Sequence, residues 1–174
     1  MTRPDRTAVA GGPALRRLMR RWPAGVAVVT TAHGEDGRET DPAGCTVSAF
    51  LSVSLRPPLV LVSLSEHSRT LRAVVERGVF CVNILAEEQR DLAGTFAGPA
   101  GDRFRGVDYH WRSGVPVLGG TVAATVCSVE RVIPAADHSL VLGSPLWCRQ
   151  DESADPVVLL DGAYYTLPAR PAHG

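Results

Sequence analysis

Polar and hydrophobic residues alternate from Thr46 to Leu55. The odd positions are Val, Ala and Leu, whereas the even positions are Thr, Ser and one Phe. A period of two with β-branched residues predicts a half-buried strand that carries its apolar side chains on one face. The other face carries hydroxyls and one aromatic ring without any charge. Two interpretations of that face remain open: it binds a polar, flat, mostly neutral ligand, or it is an ordinary solvent-facing surface.

The rest of the chain predicts strands linked by short loops, with few helices. An apolar stripe at i, i+3, i+4 and i+7 predicts one amphipathic helix, and it consists of Leu15, Leu18, Met19 and Trp22. A second helix is predicted after an N-cap at Ser68, with Gly78 at its end, and a third over about 86–97. Strands are predicted over 26–31, 46–55, 59–65, 79–85, 121–133, 139–149, 156–160 and 163–167, and loops over 33–44 and 98–114.

These elements predict a mainly β fold, an antiparallel β-barrel with a few short peripheral α-helices. The length of 174 residues suits one domain with a buried core. We therefore expect a flexible N-terminal tail over residues 1–12, a single domain over 13–168 and a C-terminal tail over 169–174.

The charge composition excludes several functional classes. The chain has 18 basic and 18 acidic residues, and all the basic ones are Arg. This balance argues against electrostatic binding of nucleic acid, and without Lys there is no P-loop and no Schiff base. Rossmann, nucleophile-elbow and H-E-x-x-H motifs are absent as well. The histidines are scattered, so we expect no metal site.

The cysteines and the hydropathy of the chain indicate the cellular compartment in which the protein is expected. The four cysteines are widely spaced and form no C-x-x-C pair, which predicts free thiols in a reducing environment. The N-terminus has no apolar signal core, and no segment is long and apolar enough to span a membrane. We expect a cytoplasmic protein without membrane contact.

Two short segments carry candidate chemistry. Ser65–Thr70 begins a predicted helix, where backbone amides, hydroxyls, Arg69 and a distant Arg103 could hold a phosphate. The simpler alternative is plain N-capping by Ser68, which requires no ligand. Asp137-His138 occupies a predicted turn between two strands. The pair is a candidate ligand contact or proton donor, and the alternative is an ordinary surface turn.

An ordered series of motifs resembles the flavin reductase-like family, the small reductases of two-component flavin-dependent monooxygenases. The series begins with Trp-Pro-Ala-Gly-Val-Ala-Val-Val-Thr-Thr over 22–31 and continues through Gly44–Val62 and Gly78–Leu85. Arg103-Phe104 and Asp137-His138 follow in the same order. The resemblance covers about residues 15–167.

The resemblance implies an FMN-binding split barrel that acts as a homodimer. It implies FMN or FAD as flavin, NADH or NADPH as hydride donor, and a partner monooxygenase that receives the reduced flavin. The flavin ring would lie along Thr46–Ser52, and its phosphate would reach Ser65–Thr70 near Arg103. The implied cofactor-binding residues are Thr30, Thr46, Val47, Ser48, Ala49, Phe50, Ser52, Ser63, Ser65, Ser68, Thr70, Arg103 and Phe104.

The catalytic residues implied by the resemblance are His138, which would face the nicotinamide, and the adjacent Asp137. Two positions depart from the family pattern, since Ala136 replaces the usual Gly and Ala49 stands where many members carry Ser. Two other functions remain open on the same fold. One is a flavoprotein that holds its flavin tightly and reduces an organic biosynthetic intermediate directly, and the other is a flavin-binding protein without catalysis.

Overall fold

Strands make up most of the structure, a computed structural model that describes residues 11–34, 41–99 and 101–167. The strands are β1 (Ala24–Gly25), β2 (Ala27–His33), β3 (Asp41–Val47), β4 (Phe50–Leu55), β5 (Pro58–Ser65), β6 (Val79–Ile84), β7 (Tyr109–Arg112), β8 (Val115–Leu118), β9 (Ala123–Ala135), β10 (His138–Gln150), β11 (Val157–Leu160) and β12 (Ala163–Thr166). Seven of them form one sheet in the order β3-β2-β6-β9-β10-β5-β4, with every neighbouring pair antiparallel. Smaller sheets join β1, β11 and β12, and β7 with β8.

The large sheet curls into a barrel because its two edge strands are consecutive in the chain. β3 and β4 lie at opposite edges, yet only Ser48 and Ala49 connect them. Two extended residues span about 7 Å, so the edges must come together. The carbonyl of Ala49 accepts a hydrogen bond from the amide of Ser63 at 3.1 Å, which continues the β4–β5 ladder. Among the described residues β3 pairs only with β2, so the barrel is split between β3 and β5. The predicted fold class is confirmed.

The prediction of one strand over 46–55 is wrong. The segment forms the end of β3 and all of β4, separated by Ser48-Ala49. In β4 the apolar positions Leu51, Val53 and Leu55 are exposed, and Phe50 instead packs against the barrel core. Alternation of residue types identified two faces correctly, but it could not say which face points inward.

The helices are short and peripheral. They are α1 (Gly12–Met19), α2 (Arg69–Arg77) and α3 (Arg90–Ala97), and a 3₁₀ turn over Glu87–Gln89 precedes α3. The predicted caps of α2 are confirmed, since the Ser68 side chain accepts from the amides of residues 70 and 71, and Gly78 ends the helix at φ 70°. Within the described ranges, none of the helices is long and apolar enough to cross a membrane.

The barrel interior is filled by strand side chains and by one face of α2. Val29, Phe80 and Val141 belong to a buried cluster that Leu71 and Val74 of α2 complete. Neighbouring residues on the same strands point outward, where α3 and the β7–β8 hairpin cover them. Both faces of β2 and β6 are therefore buried, which explains why these strands are continuous apolar runs rather than alternating ones.

The apolar stripe of α1 is exposed within the single chain. Leu15, Leu18, Met19 and Trp22 are between 49% and 67% exposed, and none of the α1 residues is buried. The predicted helix therefore forms, but it ends at Met19 rather than at Trp22, and its stripe does not contact the core.

Other predicted boundaries shift at the loops. β3 begins at Asp41, inside the predicted loop 33–44, and β7 lies inside the predicted loop 98–114. α1 begins at Gly12, the last residue of the predicted N-terminal tail. The structure does not describe residues 1–10, 35–40, 100 and 168–174. The predicted C-terminal tail and most of the predicted N-terminal tail therefore lie outside the described residues.

Gly143 of β10 allows close packing in the barrel. A Cβ at this position would lie 2.5 Å from Cζ of Phe80 and 2.9 Å from Cβ of Cys127, both of which are buried. We expect Gly143→Ala to lower the free energy of unfolding by about 1–3 kcal/mol, because the added methyl overpacks the core.

The measurement is urea unfolding at a fixed protein concentration. Gly25→Ala is the matched control, because no neighbouring atom lies within 4 Å of its Cβ position, and we expect no loss of stability there. Equal free energies of unfolding for the two variants would contradict the packing at Gly143.

Candidate functional site

Two adjoining grooves open where the barrel is split. The larger has a volume of about 690 Å³ and the smaller about 320 Å³. Cys45, Thr46 and Ser68 line both, so the grooves form one continuous depression. Volumes of this size are typical of small-molecule sites.

The smaller groove is a neutral cleft between the two edges of the barrel. One wall is the end of β3 and the Ser48-Ala49 crossing, and the other is Ser63–Ser65 of β5. Ser63 and Ser65 are flanked by buried Leu64, so their hydroxyls point away from the barrel core, toward the cleft. Hydroxyls and backbone groups without charge suit a flat, polar and neutral ring.

His138 stands at one end of the smaller groove. It is the first residue of β10 and pairs with Ser65 of β5. Its Nδ1 lies 2.9 Å from a carboxylate oxygen of Asp137, and the imidazole is 46% exposed. This hydrogen bond and the charge of His138 lower the pKa of Asp137. Because Asp137 engages Nδ1, Nε2 is the ring nitrogen left to meet a ligand.

The hairpin that carries His138 has a constrained tip. β9 and β10 are joined by only Ala136 and Asp137, and the carbonyl of Asp137 accepts from the amide of Glu66 at 3.0 Å. Ala136 has φ 57°, a left-handed conformation that costs a non-Gly residue about 1 kcal/mol. The hydrogen bond from Glu66 therefore holds the tip with Ala rather than Gly at its left-handed position.

The larger groove has a cationic wall around the start of α2. Residues 67–70 line it together with Arg103 and Phe104 from the loop after α3. The dipole of α2 and the side chains of Arg69 and Arg103 favour an anion here. Phe104 packs edge-on against Phe96, with ring centroids 5.0 Å apart, which fixes the loop that carries Arg103.

Arg103 joins three elements around the groove. Its two terminal nitrogens donate to the carbonyls of Gly44 in β3, at 2.7 Å, and of Gly98 after α3, at 2.6 Å. Its Nε is buried and, within the described part of the chain, has no hydrogen-bond partner. A buried donor without an acceptor is costly, so this side chain fits a groove that takes up an acceptor such as a phosphate oxygen.

Cys45 forms the wall shared by both grooves. Burial raises the pKa of this thiol, although hydrogen bonds from Thr70 and Ser68 and the charge of Arg103 act in the opposite direction. The thiol is therefore neutral near pH 7 and does not act as a thiolate nucleophile.

Most residues predicted for the site line these grooves. They are Thr46, Val47, Ser48, Ala49, Ser63, Ser65, Ser68, Thr70, Arg103, Phe104 and His138. Asp137 lies behind His138 and contacts the imidazole rather than the groove. The hydroxyl of Thr46 is already engaged, since it donates to the carbonyl of Ala93 at 2.7 Å.

Three residues predicted to contact the cofactor line neither groove. Thr30 is fully buried, where its hydroxyl donates to the carbonyl of Pro116 and accepts from Asn83. Phe50 packs against the barrel core, and Ser52 lies on β4, and neither lines a groove. A hydroxyl or ring in a motif does not show whether the fold turns it toward the ligand or uses it internally.

Several groove residues were not predicted. They include Cys45, His33, Asp41, Asp102 and Ala97. Cys45 sits inside the quoted motif at 44–62, so its position was available, but the cysteines were considered only as free thiols. The others lie in or next to predicted loops and carry no periodic signal.

The sequence matches a known family. Residues 19–168 match the sequence model described as Flavin reductase like domain. The chain belongs to this flavin reductase-like family. Among its relatives, an NADH-dependent flavin reductase of Rhodococcus is 39% identical over 155 residues, which cover 88% of this chain and 85% of that protein.

Two further proteins are similar to this chain. The actinorhodin polyketide dimerase of Streptomyces coelicolor is 39% identical over 154 residues, covering 88% of this chain and 85% of that protein. The second is known from a crystal structure, that of nitrilotriacetate monooxygenase component B from Mycobacterium thermoresistibile. Its sequence is 30% identical to this chain, the TM-score is 0.84, and the match covers 93% of this chain and 91% of that one.

Proposed function

We propose that this protein is an NAD(P)H-dependent flavin reductase that supplies reduced FMN or FAD to a partner monooxygenase. The observation that carries the proposal is the continuous depression at the split in the barrel. Its neutral cleft leads directly to the cationic wall around Arg103 and α2. A flavin has the same sequence of parts, a flat neutral ring followed by a ribityl chain and a phosphate.

The residues present fit a flavin. The buried Nε of Arg103, which has no hydrogen-bond partner among the described residues, would donate to a phosphate oxygen. Arg69 and the first turn of α2 would add positive potential. Ser63, Ser65 and the backbone of the Ser48-Ala49 crossing would orient the ring.

A bound flavin would supply the redox chemistry by accepting a hydride from the nicotinamide of NADH or NADPH. The protein contributes binding and geometry. The hydroxyls and backbone of the cleft present no strong acid or nucleophile, and the neutral Cys45 thiol adds none. His138, held through Nδ1 by Asp137, positions the nicotinamide with Nε2.

The relatives support the choice of partners. The Rhodococcus relative is named as NADH-dependent, which supports NADH as donor. The solved relative is a component of a monooxygenase, which supports delivery of reduced flavin to an oxygenase. The four free cysteines support a reducing compartment, and we place the protein in the cytoplasm.

A second candidate function is direct reduction of an organic intermediate by a tightly held flavin. The specific observation in its favour is the polyketide dimerase, which is as similar to this chain as the named reductase is. The two functions differ in whether the flavin leaves the protein.

The deciding experiment is NADH oxidation by the purified protein with and without added FMN or FAD. We expect added flavin to stimulate NADH oxidation with saturation, because free flavin is a substrate of the proposed reaction. A protein that retains its flavin through purification and oxidises no extra NADH with added flavin would favour the second function. Stimulation by neither flavin, with no retained flavin, would defeat both.

The role of His138 is tested by His138→Ala. We expect kcat for NADH oxidation to fall by about tenfold or more, because the nicotinamide loses its positioning contact, while flavin affinity stays unchanged. His110→Ala is the control, since His110 is exposed on β7 and lies outside both grooves. Unchanged turnover in His138→Ala would remove His138 from the mechanism.

We also propose that the protein acts as a homodimer through the outer face of β4, β5 and β10. Leu51, Leu61 and Leu142 are directly paired across these strands, and Leu55 is 81% exposed. β4 is also an edge strand, and an exposed apolar edge requires cover. The same face adjoins Ser63 of the smaller groove, so a second copy would lie beside the flavin.

The dimer is tested by Leu51→Glu in size-exclusion chromatography with light scattering. We expect the native chain to elute as a dimer and the variant to dissociate with a dimer Kd raised about tenfold or more, because the new charge is desolvated in the interface. Val75→Glu, at an exposed apolar position on α2, should remain dimeric. A monomeric native chain would refute the proposal.

A further inference from the structure

Helix α1 is almost entirely exposed within the single chain. Ala14 is its one partly buried residue, and the other residues of this eight-residue helix are exposed. The helical path continues beyond the helix, because the amide of Trp22 donates to the carbonyl of Met19 at 3.0 Å. The apolar stripe of α1 therefore runs without interruption from Leu15 to Trp22.

The stripe and the charges of α1 lie on opposite faces. At 3.6 residues per turn, the face opposite the stripe carries Arg16, Arg17, Arg20 and Arg21. The amide of Asp161, in the β11–β12 turn, donates to the carbonyl of Arg20 at 2.8 Å, and the Asp161 carboxylate lies 3.7 Å from Arg21. Both contacts with the body of the protein involve residues of the arginine face. The stripe, which is 49% to 67% exposed, therefore faces away from the body.

The charge of the chain is divided between this end and the rest. The first 22 residues contain six of the 18 arginines but only one of the 18 acidic residues, Asp5. Subtraction leaves twelve arginines and 17 acidic residues for the remainder, so a basic end is attached to an acidic body. A charge asymmetry of this kind indicates a negatively charged surface as the partner of the basic end.

α1 needs a covering surface, and its charges select among the possible ones. A helix of eight residues is only marginally stable when it is exposed on all sides. Pairing with α1 of a second copy would bring two arginine clusters together, and their like charges oppose that contact. An anionic lipid surface offers an apolar layer to the stripe and negative headgroups to the arginines. Trp22, at the end of the stripe, suits the membrane–water interface.

We propose that α1 is a docking surface for an anionic lipid bilayer. The helix axis lies parallel to the membrane plane, with the stripe in the outer acyl region and the arginines among the headgroups. The acidic body is repelled by the same surface, so only the basic end touches it. A helix that lies on a bilayer need not be long enough to span it, and none of the described helices is. The proposal does not depend on the proposed function, and the outer face of β4, β5 and β10 stays free for a second copy.

The test is sedimentation of the full-length protein with unilamellar vesicles. One set contains phosphatidylcholine alone, and the other contains about one quarter phosphatidylglycerol. We expect the apparent Kd for the anionic vesicles to be about tenfold or more below that for the neutral ones, because each arginine near the surface contributes favourably. Added salt should weaken this binding by screening the arginines. Equal binding to both vesicle types, or binding to neither, would overturn the proposal.

Two variants separate the contributions of the stripe and of the arginines. Leu18→Glu, at the 64% exposed centre of the stripe, should raise the apparent Kd for the anionic vesicles about tenfold or more. Val75→Glu, at a 52% exposed apolar position on α2, is the matched control and should leave it nearly unchanged. Arg17→Gln should raise it about fivefold, whereas Arg72→Gln, exposed on α2, should not. Equal effects within either pair would show that α1 is not the docking surface.

Other occupants of the stripe give different results in the same samples. A second copy on the stripe would make Leu18→Glu dissociate the dimer in light scattering, while the native chain bound neither vesicle. Nucleic acid as the occupant would make the native chain bind duplex DNA and leave the anionic vesicles unbound. Either result would overturn the proposal. Vesicle binding that depends on Leu18 and Arg17, in a protein that does not oxidise NADH, would support it and defeat the proposed function.

Discussion

The connection through Ser48 and Ala49 is the constraint on which the rest of the structure depends. It joins the two edge strands of a seven-stranded sheet with only two residues, so the sheet must close on itself. The closure is incomplete, because the crossing brings β3 beside β5 without a ladder between them in the described residues. The cleft that results is lined by backbone and hydroxyls, and it lies next to the start of α2. The site is therefore a direct consequence of how the barrel closes.

Local signals in the sequence predicted the elements well. The caps of α2 at Ser68 and Gly78 depend on residues within one helix, and the buried strands β2 and β6 are marked by continuous apolar runs. The two-strand structure of residues 46–55 was not predictable, because the alternation continues with the same parity through Ser48 and Ala49. A change of hydrogen-bonding partner leaves no trace in such a pattern.

The site was predicted from an ordered resemblance, and the structure brings some of those residues to the grooves and not others. Residues on the crossing and at strand ends line the grooves, since their backbone is exposed where the barrel splits. Thr30 lies away from the grooves, because its hydroxyl donates to the carbonyl of Pro116 inside the protein, a contact that depends on β8 far along the chain. Asp41 and Ala97 were not predicted, because they line a groove only once α3 packs against β3.

The hydrogen bonds from Arg103 to the carbonyls of Gly44 and Gly98 link the groove to the stability of the fold. The same guanidinium joins β3 to the end of α3 and lines the larger groove. Ligand occupancy and the attachment of α3 are then linked equilibria. A ligand at 100 times its Kd that binds only the folded state adds about 2.7 kcal/mol of stability. A ligand that binds in this groove would therefore protect the end of α3 against local unfolding and proteolysis.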